Sequence, residues 1–318
     1  MSLTHPEGRS PVVTDTLKAS NFSSEQNARE PIIFDIYSEE PLNLDITLSS
    51  GQTFRWEKED SDWWRGFIKG NRVFIRQKNK NSASLLLECK LSPLVEQKYL
   101  IENYFNLNKK YEDIYAIFKS DPILKAAATR YRGLRLLSQD PWEMLISFIL
   151  SSASNIPRIR GNIKRLCEEF GEQKFDVFGA YHSFPTSKAL ESASINNFKK
   201  LGFGFRASYV WETSVKIAEE HDLLSKIGKL PYIEARQELC KLSGVGEKVA
   251  DCVLLFGVDR PESFPVDTWI KKIVEQYYFN GRVIPANKLA EFGREKFGIY
   301  AGVAQQYLFE YARGMGIK

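Results

Sequence analysis

Residues Leu242 to Ile270 read LSGVGEKVADCVLLFGVDRPESFPVDTWI, and this stretch decides how the rest of the chain is understood. Gly244 and Gly246 bracket Val245 between two helical patterns. Glycines there permit positive φ and the close approach of another backbone. The N–H groups of such a turn, and of the helix that follows, form an anion site. A helix-hairpin-helix of this kind grips a nucleic-acid strand through phosphates and reads no bases. A lone G-x-G would be an ordinary helix–helix turn, but LSGVGEKVAD as a whole is far more specific.

Lys248 falls in the first turn of the second helix. The positive end of the helix dipole disfavours a second positive charge there, and burial would add to that. A neutral amine is the nucleophile that Schiff-base chemistry requires. An isolated lysine is most often a solvated surface group; the neighbours set this one apart. Cys252, four residues on, shares its helix face and suits a pocket wall or the core equally well. Asp251 could pair with Lys248 and is given no chemical role. Asp267 follows Phe264-Pro265-Val266 and precedes a helical pattern. As an N-cap it would be held by backbone N–H groups and stay ionised. A fixed carboxylate beside a sugar stabilises an oxocarbenium-like centre, and could take a proton from the lysine. The bland reading, a cap alone, is compatible with both roles.

Working outward, residues 1–30 are polar and without periodicity, as expected of a flexible tail. From Pro31 to about residue 120 the signal is mostly β. LDITL (Leu44 to Leu48) alternates, WWRGFI and RVFIRQ flank a Lys69-Gly70-Asn71 turn, and SASLLLEC is a further candidate strand. A helix is expected near Leu94 to Phe105. From Asp121 to the end, residues 121–318, the pattern is helical. Asp140-Pro141 is a clean helix start and Gly171 is expected as a left-handed stop. Helices are expected over Pro157 to Phe170, Ser187 to Leu201, Ser208 to Glu220, Tyr232 to Leu242, Glu247 to Phe256, Asp267 to Tyr278 and Val303 to Ala312. The fold class is therefore α+β: an antiparallel β-rich domain with helices, then an all-helical domain.

Composition narrows the function classes. At 318 residues with 43% apolar side chains, the chain can bury two packed cores. A net charge of +4 permits a polyanion partner without requiring one. Cys89, Cys167, Cys240 and Cys252 lie far apart without metal-ligand spacing, which argues against zinc and iron–sulfur sites and for a reducing compartment. No apolar run approaches the ~18 residues of a membrane span, and the N-terminus lacks an apolar signal core, so secretion is not expected. The expectation is an intracellular protein that accompanies the DNA, a monomer, without a cofactor.

At LSGVGEKVADC…FPVDTW the chain resembles the helix-hairpin-helix, Gly/Pro-rich, Asp superfamily of base-excision DNA glycosylases. Within it, the chain is similar to the 8-oxoguanine DNA glycosylase/AP lyase branch. The likeness runs from about Leu44 to Ala312. It also rests on SGQTFRW at Ser50, QDPWEMLISFILSS at Gln139, LGFGFRASYV at Leu201 and YAGVAQQYLF at Tyr300. The resemblance implies a bifunctional enzyme that flips the damaged base from duplex DNA, cuts its N-glycosidic bond with a lysine amine, and opens the sugar by β-elimination. It puts Lys248 at the nucleophile and Asp267 at the catalytic aspartate. Gly51 matches the glycine whose carbonyl reads the N7 hydrogen of 8-oxoguanine, Gln305 the amide on the Watson–Crick edge, and Phe309 and Cys252 the two faces of the base slot. Arg158 and Arg206 match two readers of the orphaned cytosine, and Phe205 the aromatic wedge that fills the stack. Gly244, Val245 and Gly246 form the phosphate grip. The implied partner is double-stranded DNA containing oxidised guanine. Family hairpins can also hold a cation through backbone carbonyls, here Cys240, Leu242 and Val245; no metal is required.

Two positions depart from the family pattern. Ala153 replaces an asparagine of the orphan-base site, and Trp269 stands where a histidine usually follows the aspartate. Alternative readings are an alkylated-base glycosylase of the same superfamily, which uses water and usually lacks the lysine, and a DNA-binding hairpin without chemistry.

Overall fold

The structure, a computed structural model, describes residues 30–38, 40–78, 85–91 and 97–317. The expected tail therefore lies, except for Glu30, outside the described residues. Five strands, β1 (Ile32–Ser38), β2 (Glu57–Lys58), β3 (Trp64–Ile68), β4 (Asn71–Gln77) and β5 (Leu85–Leu91), form one antiparallel sheet in the order β1-β5-β4-β3-β2. Alternation drives it: Trp64, Gly66 and Ile68 of β3 face inward while Arg65 and Phe67 are less buried. The β3–β4 turn has positive φ at Lys69 (48°) and Gly70 (77°), the geometry that matches strand twist in a two-residue hairpin.

The helices that complete this half are α1 (Leu44–Ser49), α2 (Gln97–Tyr104), α3 (Tyr111–Phe118) and α4 (Pro122–Arg130). Here the sequence expectation for Leu44 to Leu48 is corrected: the segment is helical. Asn43 caps it by accepting the Ile46 N–H at 3.0 Å, and Leu44, Thr47 and Leu48 form one buried face. A run this short satisfies both periods, and the cap decides. Tyr111–Phe118, inside the segment read as mostly β, is also helix.

The second half contains α5 (Pro141–Leu150), α6 (Ile156–Phe170), α7 (Ser187–Glu191), α8 (Ile195–Lys200), α9 (Arg206–Glu219) and α10 (Leu223–Lys229). It continues with α11 (Tyr232–Leu239), α12 (Glu247–Gly257), α13 (Thr268–Tyr278), α14 (Ala286–Phe297) and α15 (Ala301–Met315). Gly171 does end α6, but with an extended backbone (φ −75°) rather than a left-handed one; a Cβ there would meet the Ser183 carbonyl oxygen at 2.2 Å. The single helix expected over Ser187 to Leu201 is two: Ser194 and Asn197 form a capping box that restarts the chain. This half is not all-helical either. β6 (Gln173–Asp176) and β7 (Gly179–His182) form a hairpin. The hairpin packs back on the sheet, where Arg72 pairs with Asp176 and Phe74 meets Phe178 at 4.6 Å between ring centroids.

Two hydrophobic cores result. One lies under the sheet, around Trp56, Ile75, Leu87 and Phe105. The larger gathers the helices around Leu145, Val253, Ile273 and Tyr307, and takes in Phe54 and the α3 residues. Polar contacts join them where the site forms. Gln52 Nε2 donates to the Arg135 carbonyl at 2.8 Å, and Gln306 Nε2 of α15 donates to the Ser50 carbonyl at 2.8 Å. Among the described residues no helix is long and apolar enough to cross a membrane.

Candidate active site

A cavity of about 310 Å³ opens between α5, α12, α15, the α5–α6 turn, the segment before α13 and the loop after α1. Gly51, Lys248, Cys252, Asp267, Gln305 and Phe309 all line it, together with Phe54, Phe148, Ser151, Phe256 and Trp269. Six residues singled out in sequence, from both halves of the chain, are thus gathered around one space.

Each is held by its element. Lys248 stands in the first turn of α12, whose N-cap Gly246 leaves the helix start open. Its Nζ donates to Ser151 Oγ at 3.1 Å and lies 5.1 Å from the centroid of the Phe148 ring. Among the described residues it has no carboxylate partner within ion-pair distance. Asp251 does not face it: that side chain is buried between Tyr232, whose hydroxyl donates at 2.6 Å, and Arg236. Burial raises the Asp251 carboxyl above its ordinary range, and Arg236 opposes the shift.

Asp267 caps α13, its Oδ1 accepting the Ile270 N–H at 2.8 Å. The carboxyl nevertheless lies above its ordinary range, because desolvation outweighs the Ile270 N–H and the Lys248 charge. Cys252 is buried and its thiol is pushed up to about 12 by desolvation, against the nearby Lys248 charge, so it serves as an apolar wall rather than a thiolate. Gln305 is 5% exposed, and its side-chain oxygen is buried without a hydrogen-bond partner. A buried acceptor left unpaired costs roughly 1–3 kcal/mol, so a hydrogen-bond donor entering the cavity would be stabilised there. Gly51 has φ +76°; a Cβ there would meet Ile156 Cδ1 at 2.9 Å and Phe309 Cε1 at 3.4 Å.

Other residues singled out in sequence lie outside the cavity. Phe205 is 58% exposed at the start of α9 and packs edge-on to Tyr209. Arg158 is exposed near the start of α6. Arg206 is only 2% exposed, and its guanidinium donates to the Ser152, Ala153 and Phe203 carbonyls. In the hairpin only Gly244 has positive φ (75°); Gly246 is extended, with φ −91°. A Cβ on Gly244 would meet Tyr209 Cβ at 2.6 Å, whereas one on Gly246 would meet nothing within 4 Å. Of the three carbonyls considered for a cation, that of Leu242 accepts the Val245 N–H at 3.2 Å.

Sequence reasoning missed Ser151, Phe54, Phe148 and Phe256. The last three look like plain core positions in an apolar run. Ser151 is marked only by being polar at the end of the apolar helix WEMLISFIL.

Residues 34–145 match the 8-oxoguanine DNA glycosylase N-terminal domain, and residues 146–297 match the HhH-GPD superfamily of base excision DNA repair proteins. The N-glycosylase/DNA lyase OGG1 of Arabidopsis thaliana is 34% identical over 84% of this chain and 76% of its own length. The chain belongs to the 8-oxoguanine DNA glycosylase family. A probable N-glycosylase/DNA lyase of Methanothermobacter thermautotrophicus is 34% identical over 87% of the chain and 95% of its own length. Among solved structures, the Clostridium acetobutylicum 8-oxoguanine glycosylase/lyase in complex with double-stranded DNA containing cytosine opposite 8-oxoguanine superposes with a TM-score of 0.81. It is 32% identical and covers 91% of this chain and 99% of that one. As a member of this glycosylase family, the chain is a DNA N-glycosylase and AP lyase, and its sheet and helical hairpin domain are the family's two building blocks.

Proposed function

We propose that the chain flips 8-oxoguanine out of duplex DNA into the cavity, excises it through Lys248 and then cleaves the strand. The observation that carries this reading is the shared space: the Lys248 amine, the Asp267 carboxyl and the unpaired Gln305 oxygen line one cavity. A flipped purine brings N–H donors on its Watson–Crick edge for that oxygen, and its faces meet Phe309 and Cys252. The Gly51 carbonyl is the acceptor for the N7 hydrogen that guanine lacks.

Chemistry starts at Nζ. Its lone pair bonds to C1′ as the bond from C1′ to the base breaks, with the electron pair leaving on the base and a proton following it. The Asp267 carboxylate stabilises the positive charge on the sugar. Ring opening gives a Schiff base, and loss of a C2′ proton expels the 3′ phosphate. The N–H groups at Gly246 and the first turn of α12 hold a DNA phosphate, with Phe205 as the wedge and Arg158 facing the orphaned base. Neither a cofactor nor a cation enters any of these steps.

The lysine in the cavity argues against a water-using alkylated-base glycosylase, and the gathered site against a hairpin that only binds. The experiment is base release from a labelled duplex containing 8-oxoguanine, with strand cleavage scored in parallel. Release of the free base with strand scission is expected; a bound but uncut duplex contradicts the reading.

A further inference from the structure

We infer that Ser151 is a positioning residue for the Lys248 amine, an assignment that rests on the lysine mechanism proposed above. Ser151 is the C-cap of α5. Its hydroxyl donates to the Phe148 carbonyl at 2.7 Å. With its only proton committed there, Ser151 Oγ meets Lys248 Nζ, 3.1 Å away, as an acceptor. One amine N–H is thereby fixed toward the cavity wall, which turns the rest of the nitrogen toward the space that the sugar must enter. Among the described residues the direct contacts of the amine are neutral groups: the Ser151 hydroxyl, the Phe148 face and the Cys252 thiol. A carboxylate at this distance would hold the lysine as an ion pair; a hydroxyl orients it without fixing its charge.

The serine is itself held from behind. After it the chain turns through Ala153 at φ +49°, and Arg206 clamps that turn through the Ser152 and Ala153 carbonyls. Asn155 then caps α6 by accepting the Arg158 N–H at 3.0 Å. The rigid turn and the close packing of α5 on α12 make the Ser151–Lys248 distance a property of the fold. A long, rotamer-rich lysine would otherwise sample many positions, and misplacement of a nucleophile lowers its rate steeply.

The test uses the full chain and a duplex carrying a preformed abasic site, with borohydride trapping of the covalent adduct at single turnover. For Ser151→Ala the adduct is expected to form about ten- to thirty-fold more slowly, with duplex affinity unchanged. The loss should be the same from about pH 6 to about pH 9, as for a placement defect rather than a change of protonation. Ser151→Thr, which keeps the hydroxyl, should recover most of the rate. Should Ser151→Ala not fold, Ser151→Cys keeps the size with a poorer acceptor and is expected to be slow as well. Wild-type trapping in the folded Ala or Cys variant overturns the inference. Absence of any adduct with the wild-type chain overturns instead the lysine mechanism on which it rests.

Discussion

Arg206 and Ala153 are locked together: the guanidinium donates to the Ala153 carbonyl at 2.8 Å, while Ala153 holds a left-handed backbone at φ +49°. Both positions correspond to orphan-base readers in the family resemblance, yet here the arginine is spent on backbone and the alanine has no amide. On the function proposed above, the exposed Arg158 is the remaining reader. Discrimination among the four opposite bases is therefore expected to be shallow, within about ten-fold, because a lost bidentate contact removes roughly 1–3 kcal/mol. Ala153→Asn should widen the preference for cytosine. It should also relieve part of the ~1 kcal/mol that a left-handed alanine costs, since asparagine tolerates that region. Excision rates opposite each base and urea unfolding midpoints check both halves.

Asp267 is expected to be separable from binding. Asp267→Asn should keep duplex affinity, since asparagine caps helices as well as aspartate, and should lose base excision by at least about a hundred-fold. In the wild type, excision should fall on the acid side as the raised carboxyl takes up its proton, above the ordinary aspartate range. Stability runs the other way. Between about pH 4, where the unfolded aspartate titrates, and its raised folded pKa, the native state binds more protons than the unfolded state. The Asp267 contribution to stability therefore declines as pH rises through that window. Asp267→Asn removes this decline, so its melting temperature should exceed that of the wild type at neutral pH. A variant less stable than wild type would count against a desolvated carboxylate.

Gly51 should divide the two activities. A Cβ there intrudes between Ile156 and Phe309 at a residue with φ +76°. Gly51→Ala is expected to lose most 8-oxoguanine excision while still cleaving a preformed abasic site, which has no base to lodge. The strained backbone should cost about 1 kcal/mol of stability. Equal loss of both activities would point to collapse of the site rather than to a filled slot.

The hairpin glycines should behave differently from each other. Gly244→Ala drives a methyl group into Tyr209 at positive φ and should destabilise the fold by roughly 1–3 kcal/mol. Gly246 has an ordinary extended backbone and open space around its Cα. Gly246→Ala should melt like the wild type and still bind duplex several-fold less tightly, because the methyl group would lie in the path of the phosphate backbone proposed to approach there. Melting curves and duplex titrations at two salt concentrations distinguish the cases.

How legible was this protein in its sequence? Long periodic helices such as α5, α6 and α12 were, since caps and 3.6-residue periods agree in them. Leu44 to Leu48 was not: five residues fit either period, and the Asn43 cap that decides lies outside the run. The β6–β7 hairpin was invisible because its strands are largely exposed and lack an apolar face; what holds it is the distant Arg72, with Phe67 and Phe74 of the sheet. For the site, Lys248 and Asp267 could be argued from residue chemistry alone. Gly51, Gln305 and Phe309 carry no local mark, and only the family resemblance pointed to them. Ser151 escaped both, since its meaning is a distance to a side chain 97 residues away.

The central claim is that Lys248 is the nucleophile acting on a sugar whose base has entered this cavity. Borohydride trapping on duplex DNA containing 8-oxoguanine tests it most directly. The account predicts a covalent protein–DNA adduct with the wild-type chain, and its loss with Lys248→Gln, which still binds the duplex. An undiminished adduct with Lys248→Gln, or none with the wild type while base is released, would contradict it.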